Sequence, residues 1–399
     1  MTTLLLSFLG RSPKRDGGYR QTDYRFDDGS VDQAAFFGFS LLRRIRPERL
    51  VVMGTAGSMW DHLFERDVAL GAEAESERLE LMDAVADKTV TQDQLDRVAP
   101  TLASVLGCAV ELKLIPYARE EAEQVAIVRA IAEAAADAAQ LHLDITHGFR
   151  HLPMLAMMAL QYLRAVRPSV AVKAVWYGAF DEDSGEAPVH ELSGLLKIAE
   201  GAAALARFDA NGDYAALSAL VPEDPRKHLC QAAFYERTQQ VGKAREPIRK
   251  ARAVLETDPP GALPNLFRDA LRKRLVWADE ERLYQRQRAL ALQHLGRGDE
   301  LRAALFGFEA FITRYMYTQP VAGADPGNFD HRQQARARYE EAGRSTRGAE
   351  FEDYKMLRDI RNQLAHGIGS PRVEVQRVFA NENALRDALA GLMQRLLPG

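Results

Sequence analysis

One short run near the C-terminus combines an arginine, an asparagine and a histidine that could act together on a phosphodiester. The run is Arg361, Asn362 and His366, and it ends at Gly367. On a helix Asn362 and His366 share one face, whereas Arg361 lies about 140° around the axis from His366. An imidazole transfers protons near neutral pH, and a guanidinium binds phosphate oxygens. The alternative is an ordinary helix end, in which His366 complements the helix dipole and Gly367 is the left-handed cap.

Three loops that follow predicted strands carry groups suited to binding an anion. The loops contain Gly10, Arg11 and Ser12; Gly54, Thr55, Ala56, Gly57 and Ser58; and Thr146, His147, Gly148 and Arg150. Glycines let backbone N–H groups approach a phosphate, and a helix N-terminus adds positive potential. Because loops at the carboxyl ends of parallel strands share one edge of the sheet, these groups are predicted to line one pocket. For Thr146 and His147, acid–base catalysis is the alternative to phosphate binding.

Alternating apolar strand patterns and amphipathic helix patterns predict a three-layer α/β fold with a mostly parallel sheet up to about residue 190. From there to the end only helical patterns remain, so an all-α region is predicted. The division is placed between residues 1–195 and 196–399. Within these regions the spacing predicts a helix over 31–46 and one long helix over 228–256. It also predicts a core helix whose Met154, Met157 and Met158 face inward.

Composition limits the partners that this chain of 399 residues can have. The formal net charge is −4, so a nucleic-acid site must be a local patch. Lysine and arginine are dense in residues 226–274, where they form either a solvated helix surface or such a patch. Two distant cysteines and no metal-ligand spacing predict a reducing compartment and no metal site. The apolar run at residues 4–9 is too short to span a membrane, so a cytoplasmic protein with no membrane partner is predicted.

Three stretches resemble motifs of one known family. They are Gly54-Thr55-Ala56-Gly57-Ser58-Met59-Trp60-Asp61, the run from Asp144 to Pro153, and Arg361-Asn362-x-x-x-His366. They are similar to the two-domain CRISPR-associated ribonucleases of type III systems. In that family a CRISPR-associated Rossmann-like (CARF) domain precedes an all-helical HEPN nuclease domain. The resemblance covers both domains and their order, while residues 200–340 carry no matching motif.

The resemblance implies a homodimeric, or higher-order, nuclease of antiviral defence that is switched on by cyclic oligoadenylate. The three loops would bind that ligand, and no other cofactor would be needed. Single-stranded RNA would be cleaved without metal by attack of the ribose 2′-OH on the adjacent phosphorus. His366 would handle protons, Arg361 would stabilise the phosphorane charge, and Asn362 would orient His366 or the phosphate. Helix spacing adds Lys355 and Arg358 as further contacts to RNA.

Two alternatives stay open at this point. The chain could be a non-catalytic nucleotide sensor whose helical region only dimerises or binds a partner. It could also be a sensor that degrades its own cyclic oligoadenylate, for which Thr146 and His147 supply a hydroxyl and an imidazole.

Overall fold

A computed structural model describes residues 2–15, 18–65, 75–221, 223–257, 263–320, 323–346 and 348–398. The chain divides into two compact units, Met1–Lys197 and Ile198–Gly399. The first unit is α/β with a mostly parallel sheet. In the described part of the second unit every regular element is a helix. The fold class predicted from the sequence is therefore confirmed.

An eight-stranded sheet forms the centre of the first unit, in the order β5-β4-β10-β9-β8-β1-β6-β7. The five neighbouring strands β9, β8, β1, β6 and β7 are parallel. Strands β2 and β3 form a separate small hairpin. The strands are β1 (Thr3–Leu9), β2 (Lys14–Arg15), β3 (Gly18–Tyr19), β4 (Thr22–Arg25), β5 (Val31–Ala34), β6 (Arg49–Gly54), β7 (Ala109–Leu114), β8 (Gln140–Asp144), β9 (Ala171–Gly178) and β10 (Glu186–Glu191).

Helices cover both faces of this sheet and create two cores. Leu5 and Leu9 of the central strand β1 point into the core on one face, while Leu4, Leu6 and Phe8 point into the other. This alternation follows from the two-residue period of a strand that is buried on both sides. The helices are α1 (Phe37–Ile45), a 3₁₀ turn (Trp60–Phe64), α2 (Glu75–Asp87), α3 (Gln92–Leu106), α4 (Glu121–Ala134) and α5 (His151–Val166).

The predicted helix over residues 31–46 is wrong in its first part. Residues Val31–Ala34 form β5, which pairs antiparallel with β4, and the helix begins only at Phe37. Four residues with mixed polarity fit either structure, so the availability of β4 as a pairing partner decides the outcome.

The prediction that Met154 and Met158 belong to a core helix is also wrong. Their side chains are 70% and 58% exposed, and only Met157 packs against the core. The sheet-facing side of α5 is instead made by Leu152, Ala156, Ala159, Leu160 and Leu163. The opposite side exposes Met154, Met158, Tyr162 and Val166 at four-residue intervals; we call these four residues the α5 apolar face.

The remaining helices bury one continuous core in the second unit. They are α6 (Gly194–Asn211), a 3₁₀ helix (Tyr214–Leu220), α7 (Glu223–Arg237), α8 (Val241–Thr257), α9 (Leu263–Leu275), a 3₁₀ turn (Val276–Asp279), α10 (Leu283–Gly296), α11 (Glu300–Thr318), α12 (Phe329–Thr346), α13 (Ala349–His366), α14 (Val373–Val378) and α15 (Glu382–Leu396). The helix predicted over 228–256 is two helices. The chain turns at Gln239, whose φ is 61°, and the connecting residues 238–240 include no glycine or proline.

Helix α13 carries the C-terminal candidate residues and is held rigidly by its buried side. Phe351, Tyr354, Leu357 and Ile360 recur at helical spacing and are all buried. Tyr354 packs against Phe311 on α11 with ring centres 5.3 Å apart. The opposite side of α13 and its last turn are therefore presented from a fixed support.

Candidate functional site

The three predicted loops of the first unit meet at one edge of the sheet. They follow β1, β6 and β8, which are neighbours and parallel. The backbone N–H of Met59 donates to the carbonyl of Gly10 at 2.8 Å. A Cβ on Gly10 would lie 2.4 Å from the backbone nitrogen of Gly148. The loops after β1 and β8 are thus in direct backbone contact, and only glycine allows this approach.

Several of the predicted ligand-binding side chains are used inside the loops. Ser58 donates its hydroxyl to the carbonyl of Leu9 at 2.7 Å and accepts the N–H of Thr55 at 3.0 Å. Both Thr55 and Ser58 are buried. These hydroxyls hold the loop after β6 against β1, so in this loop only backbone groups remain for a ligand.

Asp144, the last residue of β8, organises the next loop from inside the sheet. Its carboxylate accepts the Ser7 hydroxyl at 2.5 Å and the backbone N–H of Thr146 at 2.9 Å. The Thr146 hydroxyl in turn accepts the N–H of Gly178 at 2.9 Å, which ties β8 to β9. Asp144 is fully buried, and burial raises its pKa to about 6. Thr146 is therefore occupied by contacts within the fold.

His147 caps a helix in its neutral form. Its Nε2 accepts the backbone N–H of Phe37, the first residue of α1, at 3.1 Å. Nε2 therefore carries no proton, and Nδ1 does. Burial, together with the nearby positive charges of His62 and Arg20, lowers the pKa of His147 to about 4. Because Nε2 is occupied, this geometry favours a structural role for His147 over acid–base catalysis.

Asp144 and His147 are expected to give the first unit opposite pH dependences. The pKa of Asp144 is raised from 3.8 to about 6, so the folded state binds its proton more tightly than the unfolded state between these values. Its contribution to stability therefore falls as the pH rises from 4 to 6, by roughly 2 to 3 kcal/mol. The lowered pKa of His147 acts the other way, because its contribution is lost as the pH falls from 6.5 towards 4.

Hydrogen exchange of the β8 amides, measured in the wild type and in Asp144→Asn, tests the pH dependence of stability that is expected from Asp144. The wild type is expected to lose about 2 kcal/mol relative to the variant between pH 4 and pH 6.5. Asp137→Asn changes an exposed aspartate of the same unit and serves as the matched control. A difference between wild type and Asp144→Asn that does not vary with pH would show that Asp144 is already ionised in the folded state at pH 4.

Exposed groups at the same edge complete a surface suited to a nucleotide. Arg11, Gly148 and Arg150 are exposed on the loops, and Arg150 directly precedes α5. Sequence reasoning missed the aromatic residues beside them. Phe149 stacks on His151 with ring centres 5.6 Å apart and lies 5.8 Å from the ring of Tyr117. Tyr117 follows β7, so its place at this edge depends on the strand order and not on local spacing.

The remaining predicted positions of this edge lie on the same three loops. Gly54 ends β6 and is buried, while Ala56 and Gly57 are half-buried behind it. A Cβ on Gly57 would lie 3.1 Å from the side chain of Lys88 and 3.3 Å from the Tyr117 hydroxyl. Ser12 is half-buried, with its N–H 3.5 Å from the sulfur of Met59. Lys88 is exposed and adds a positive charge that the sequence did not indicate.

In the second unit, Arg361 differs from the other cations of α13. Its Cζ lies 5.4 Å from the ring centre of Phe308, and its Nη1 donates to Oδ1 of Asn362 at 2.9 Å. Lys355 pairs with Glu352 at 2.6 Å, and Arg358 pairs with neighbouring carboxylates. Among the residues that the structure describes, Arg361 has no carboxylate partner.

The role predicted for Asn362 changes with this geometry, since its carbonyl oxygen is engaged by Arg361 and not by His366. His366 is the last residue of α13 and is exposed. Gly367 forms a left-handed cap with φ of 67°, donating its N–H to Gln363 at 2.8 Å. The glycine cap predicted in the alternative interpretation is therefore present. It is formed by backbone groups, and the His366 side chain takes no part in it. Within the described chain the imidazole has no hydrogen-bond or ionic partner, so it is available to a ligand.

The dense positive charge of residues 226–274 lies mostly on solvent-facing helix surfaces. Arg252 and Arg274 pair with Asp279 and Asp209 on neighbouring elements. Other cations are exposed on α7, α8 and α9, namely Arg226, Lys227, Lys243, Arg249, Lys250, Arg272 and Lys273. The geometry is compatible with both interpretations made from the sequence. No helix in the described part of the chain has the length and apolar character of a membrane span.

Comparison with known proteins identifies the class of the first unit. Residues 4–181 match the family model described as "CRISPR system endoribonuclease Csx1, CARF domain". This range contains the three loops and, apart from Thr3 at the start of β1, all five parallel strands. The first unit is therefore a CARF domain, as the sequence resemblance implied. The match ends before the helical unit and does not bear on it.

One curated relative extends the similarity beyond this domain. Over 264 residues the chain is 23% identical to "CRISPR-associated protein MJ1674" of Methanocaldococcus jannaschii. The alignment covers 59% of this chain and 41% of that relative, so the chain spans about two fifths of its length. Together with the family match, this supports a CRISPR-associated protein that contains a CARF domain.

Proposed function

We propose that this protein is a cyclic-oligoadenylate-activated endoribonuclease of a type III CRISPR antiviral defence system. The sensor part of the proposal is supported by the CARF match over residues 4–181. The nuclease part rests on one observation. At the end of α13, Arg361 lacks a carboxylate partner among the described residues, and His366 exposes an imidazole that makes no hydrogen bond or ion pair with them.

The sensor edge offers complementary groups for each part of a cyclic oligoadenylate. Arg11 and Arg150 supply guanidinium groups for phosphates, and the backbone at Gly148 lets N–H groups approach them. Tyr117, Phe149 and His151 supply ring faces on which adenine bases can stack, a contact worth about 1 to 3 kcal/mol per base.

The catalytic step needs only proton transfer and charge stabilisation. His366 removes the proton of a ribose 2′-OH as that oxygen attacks the adjacent phosphorus. The bond from phosphorus to the 5′ oxygen breaks, and that oxygen leaves as a 5′-OH after protonation, while a 2′,3′-cyclic phosphate remains. Arg361 stabilises the charge that develops on the phosphorane oxygens, and Asn362 holds the Arg361 guanidinium in place. In this mechanism the protein's own side chains do the work of a metal ion.

A second copy of the chain completes this site. Arg361 and His366 lie about 140° apart around α13, so one copy presents them in different directions. The acid and the base of the reaction also call for two imidazoles. Apolar Ile368 and Val373, 74% and 54% exposed, flank the end of α13 and suit a contact between copies. The α5 apolar face offers a similar contact in the CARF unit. We therefore propose a homodimer with a composite cleft.

Subunit mixing tests the composite cleft. Wild-type subunits are exchanged with an excess or a deficit of His366→Ala subunits at constant total concentration, and RNA cleavage is measured. If both copies contribute to one cleft, activity follows the square of the wild-type fraction, and an equal mixture retains about one quarter. A linear decline, with about half of the activity in the equal mixture, would mean that each copy acts alone.

Fluorogenic RNA cleavage tests the proposed function as a whole. Cyclic tri-, tetra- and hexa-adenylate are added side by side, with linear oligoadenylate as the control. Cleavage that depends on one of the rings supports the proposal. Binding of a ring without cleavage of any RNA would favour the non-catalytic sensor. Ligand degradation is tested by incubating the ring with the His366→Ala variant, and an intact ring rejects it.

A further inference from the structure

A second guanidinium shares an aromatic ring with Arg361. The Cζ of Arg336 on α12 lies 5.6 Å from the ring centre of Phe308, and that of Arg361 on α13 lies 5.4 Å from the same centre. Phe308 belongs to α11 and is only 3% exposed, so the ring is a fixed support. Each cation gains from contact with the ring, and the two like charges around it repel each other. A polyanion that places one phosphate on each guanidinium would relieve that repulsion.

Glu340 fixes the orientation of Arg336. Its carboxylate accepts the Nε–H of Arg336 at 3.1 Å and the hydroxyl of Tyr354 at 2.7 Å. Arg358 approaches the same carboxylate at 3.6 Å. Tyr354 is fully buried, and burial and Glu340 raise the pKa of Tyr354 well above its ordinary value, so its hydroxyl stays a donor. The carboxylate is therefore anchored to the core on one side and directs Arg336 on the other.

The arginines of this cluster outnumber its carboxylates. Arg336 pairs with Glu340, and Arg358 pairs with both Glu340 and Asp359. Arg361 is a third cation, and it has no carboxylate partner among the described residues. The side chain of Arg336 is still 43% exposed. A partly exposed, oriented guanidinium next to an arginine without an acidic partner is suited to a second phosphate of the same polyanion that Arg361 binds.

We propose that Arg336 binds the RNA phosphate next to the scissile one, and that Glu340 and Tyr354 position it for this contact. The inference rests on the proposed ribonuclease function, in which Arg361 binds the scissile phosphate. It defines the substrate class more narrowly, as RNA with at least two consecutive phosphodiesters. A dinucleotide, which has one phosphodiester, leaves Arg336 unused and is a poor substrate.

The test compares kcat/KM for a trinucleotide with that for the matching dinucleotide, in the full-length protein activated by its cyclic ligand. The ratio is large in the wild type. Arg336→Gln is expected to lower it about tenfold, because a charge-assisted contact to the second phosphate is lost. Arg338→Gln is the matched control, since Arg338 lies on the same helix and is exposed. An unchanged ratio in Arg336→Gln, with RNA cleavage intact, overturns the inference but leaves the nuclease function standing.

Two further variants separate positioning from simple charge. Tyr354→Phe and Glu340→Gln are expected to lower the same ratio several-fold, because the guanidinium loses its orientation. If Glu340 only weakened the positive field, Glu340→Gln would raise the ratio, and a rise would overturn the positioning role. The ratio of the two kcat/KM values does not change when part of the protein is unfolded, because both values fall together. Thermal unfolding of each variant is recorded as a separate check of the fold. Failure of the wild type to cleave RNA with any ring would overturn both proposals together.

Discussion

Replacing His366 with alanine is expected to abolish RNA cleavage while binding of cyclic oligoadenylate is retained. The imidazole lies exposed at the end of α13 and has no hydrogen-bond or ionic partner within the described chain, so its removal costs the fold little. Loss of a general acid–base group typically lowers the rate about 10²- to 10⁴-fold. Single-turnover cleavage of a fluorogenic RNA and ligand binding by calorimetry, both on the same preparation, measure the two properties separately.

His228→Ala is the matched control for this substitution. His228 is a half-buried histidine on α7 in the same unit, far along the chain from α13. This variant is expected to keep both cleavage and binding. Undiminished cleavage by His366→Ala would remove the catalytic assignment. Loss of both cleavage and ligand binding in His366→Ala would instead indicate damage to the fold.

Replacing Gly10 with alanine is expected to have the largest effect on the sensor unit. The added Cβ would lie 2.4 Å from the backbone nitrogen of Gly148, well inside contact distance. Because the opposing atom belongs to the backbone and not to a flexible side chain, the loops after β1 and β8 must move apart. Overpacking of this kind costs about 1 to 3 kcal/mol, or more where a backbone must shift. Separated loops no longer present their N–H groups together, so ligand affinity is expected to fall at least tenfold.

Gly194→Ala provides the control for this prediction. A Cβ on Gly194 meets nothing within 4 Å, and the residue begins helix α6, where alanine is favourable. Stability is read from hydrogen exchange of the β1 and β8 amides, and affinity from calorimetric titration with the activating ring. Wild-type stability and affinity in Gly10→Ala would mean that the loops meet less closely than the structure describes.

The candidate residues on α13 show why a motif needs its surroundings. Arg361 and His366 occupy a helix end that has every feature of an ordinary C-terminus, including the glycine cap. What distinguishes this helix end is which of its cations are paired with carboxylates. Lys355 and Arg358, predicted as contacts to RNA, are each paired with carboxylates, whereas Arg361 rests on Phe308. Their predicted role remains a prediction, and the structure makes Arg336, on another helix, the stronger candidate for a second phosphate contact.

Sequence patterns gave correct predictions where the structure is set by residues within a few positions of each other. The end of α13 at Gly367, predicted as a left-handed cap, follows from backbone groups within one turn. Errors occurred where a distant partner decides. Residues Val31–Ala34 became a strand because β4 lies beside them, and Met154 and Met158 became exposed because the sheet packs against the opposite side of α5.

By itself, the sequence determined the α/β region followed by helices, the three glycine-containing loops and the resemblance to CARF–HEPN ribonucleases. These depend on period, composition and local motif, which are properties of neighbouring residues. Only the tertiary structure decided which loop groups are free. It committed Thr55, Ser58 and His147 to internal hydrogen bonds. It also brought Tyr117 to the sheet edge where the three loops meet, and Arg336 to the ring shared with Arg361. The reason is physical: a polar group binds a ligand only if the fold has not already satisfied it, and that depends on residues far apart in the chain.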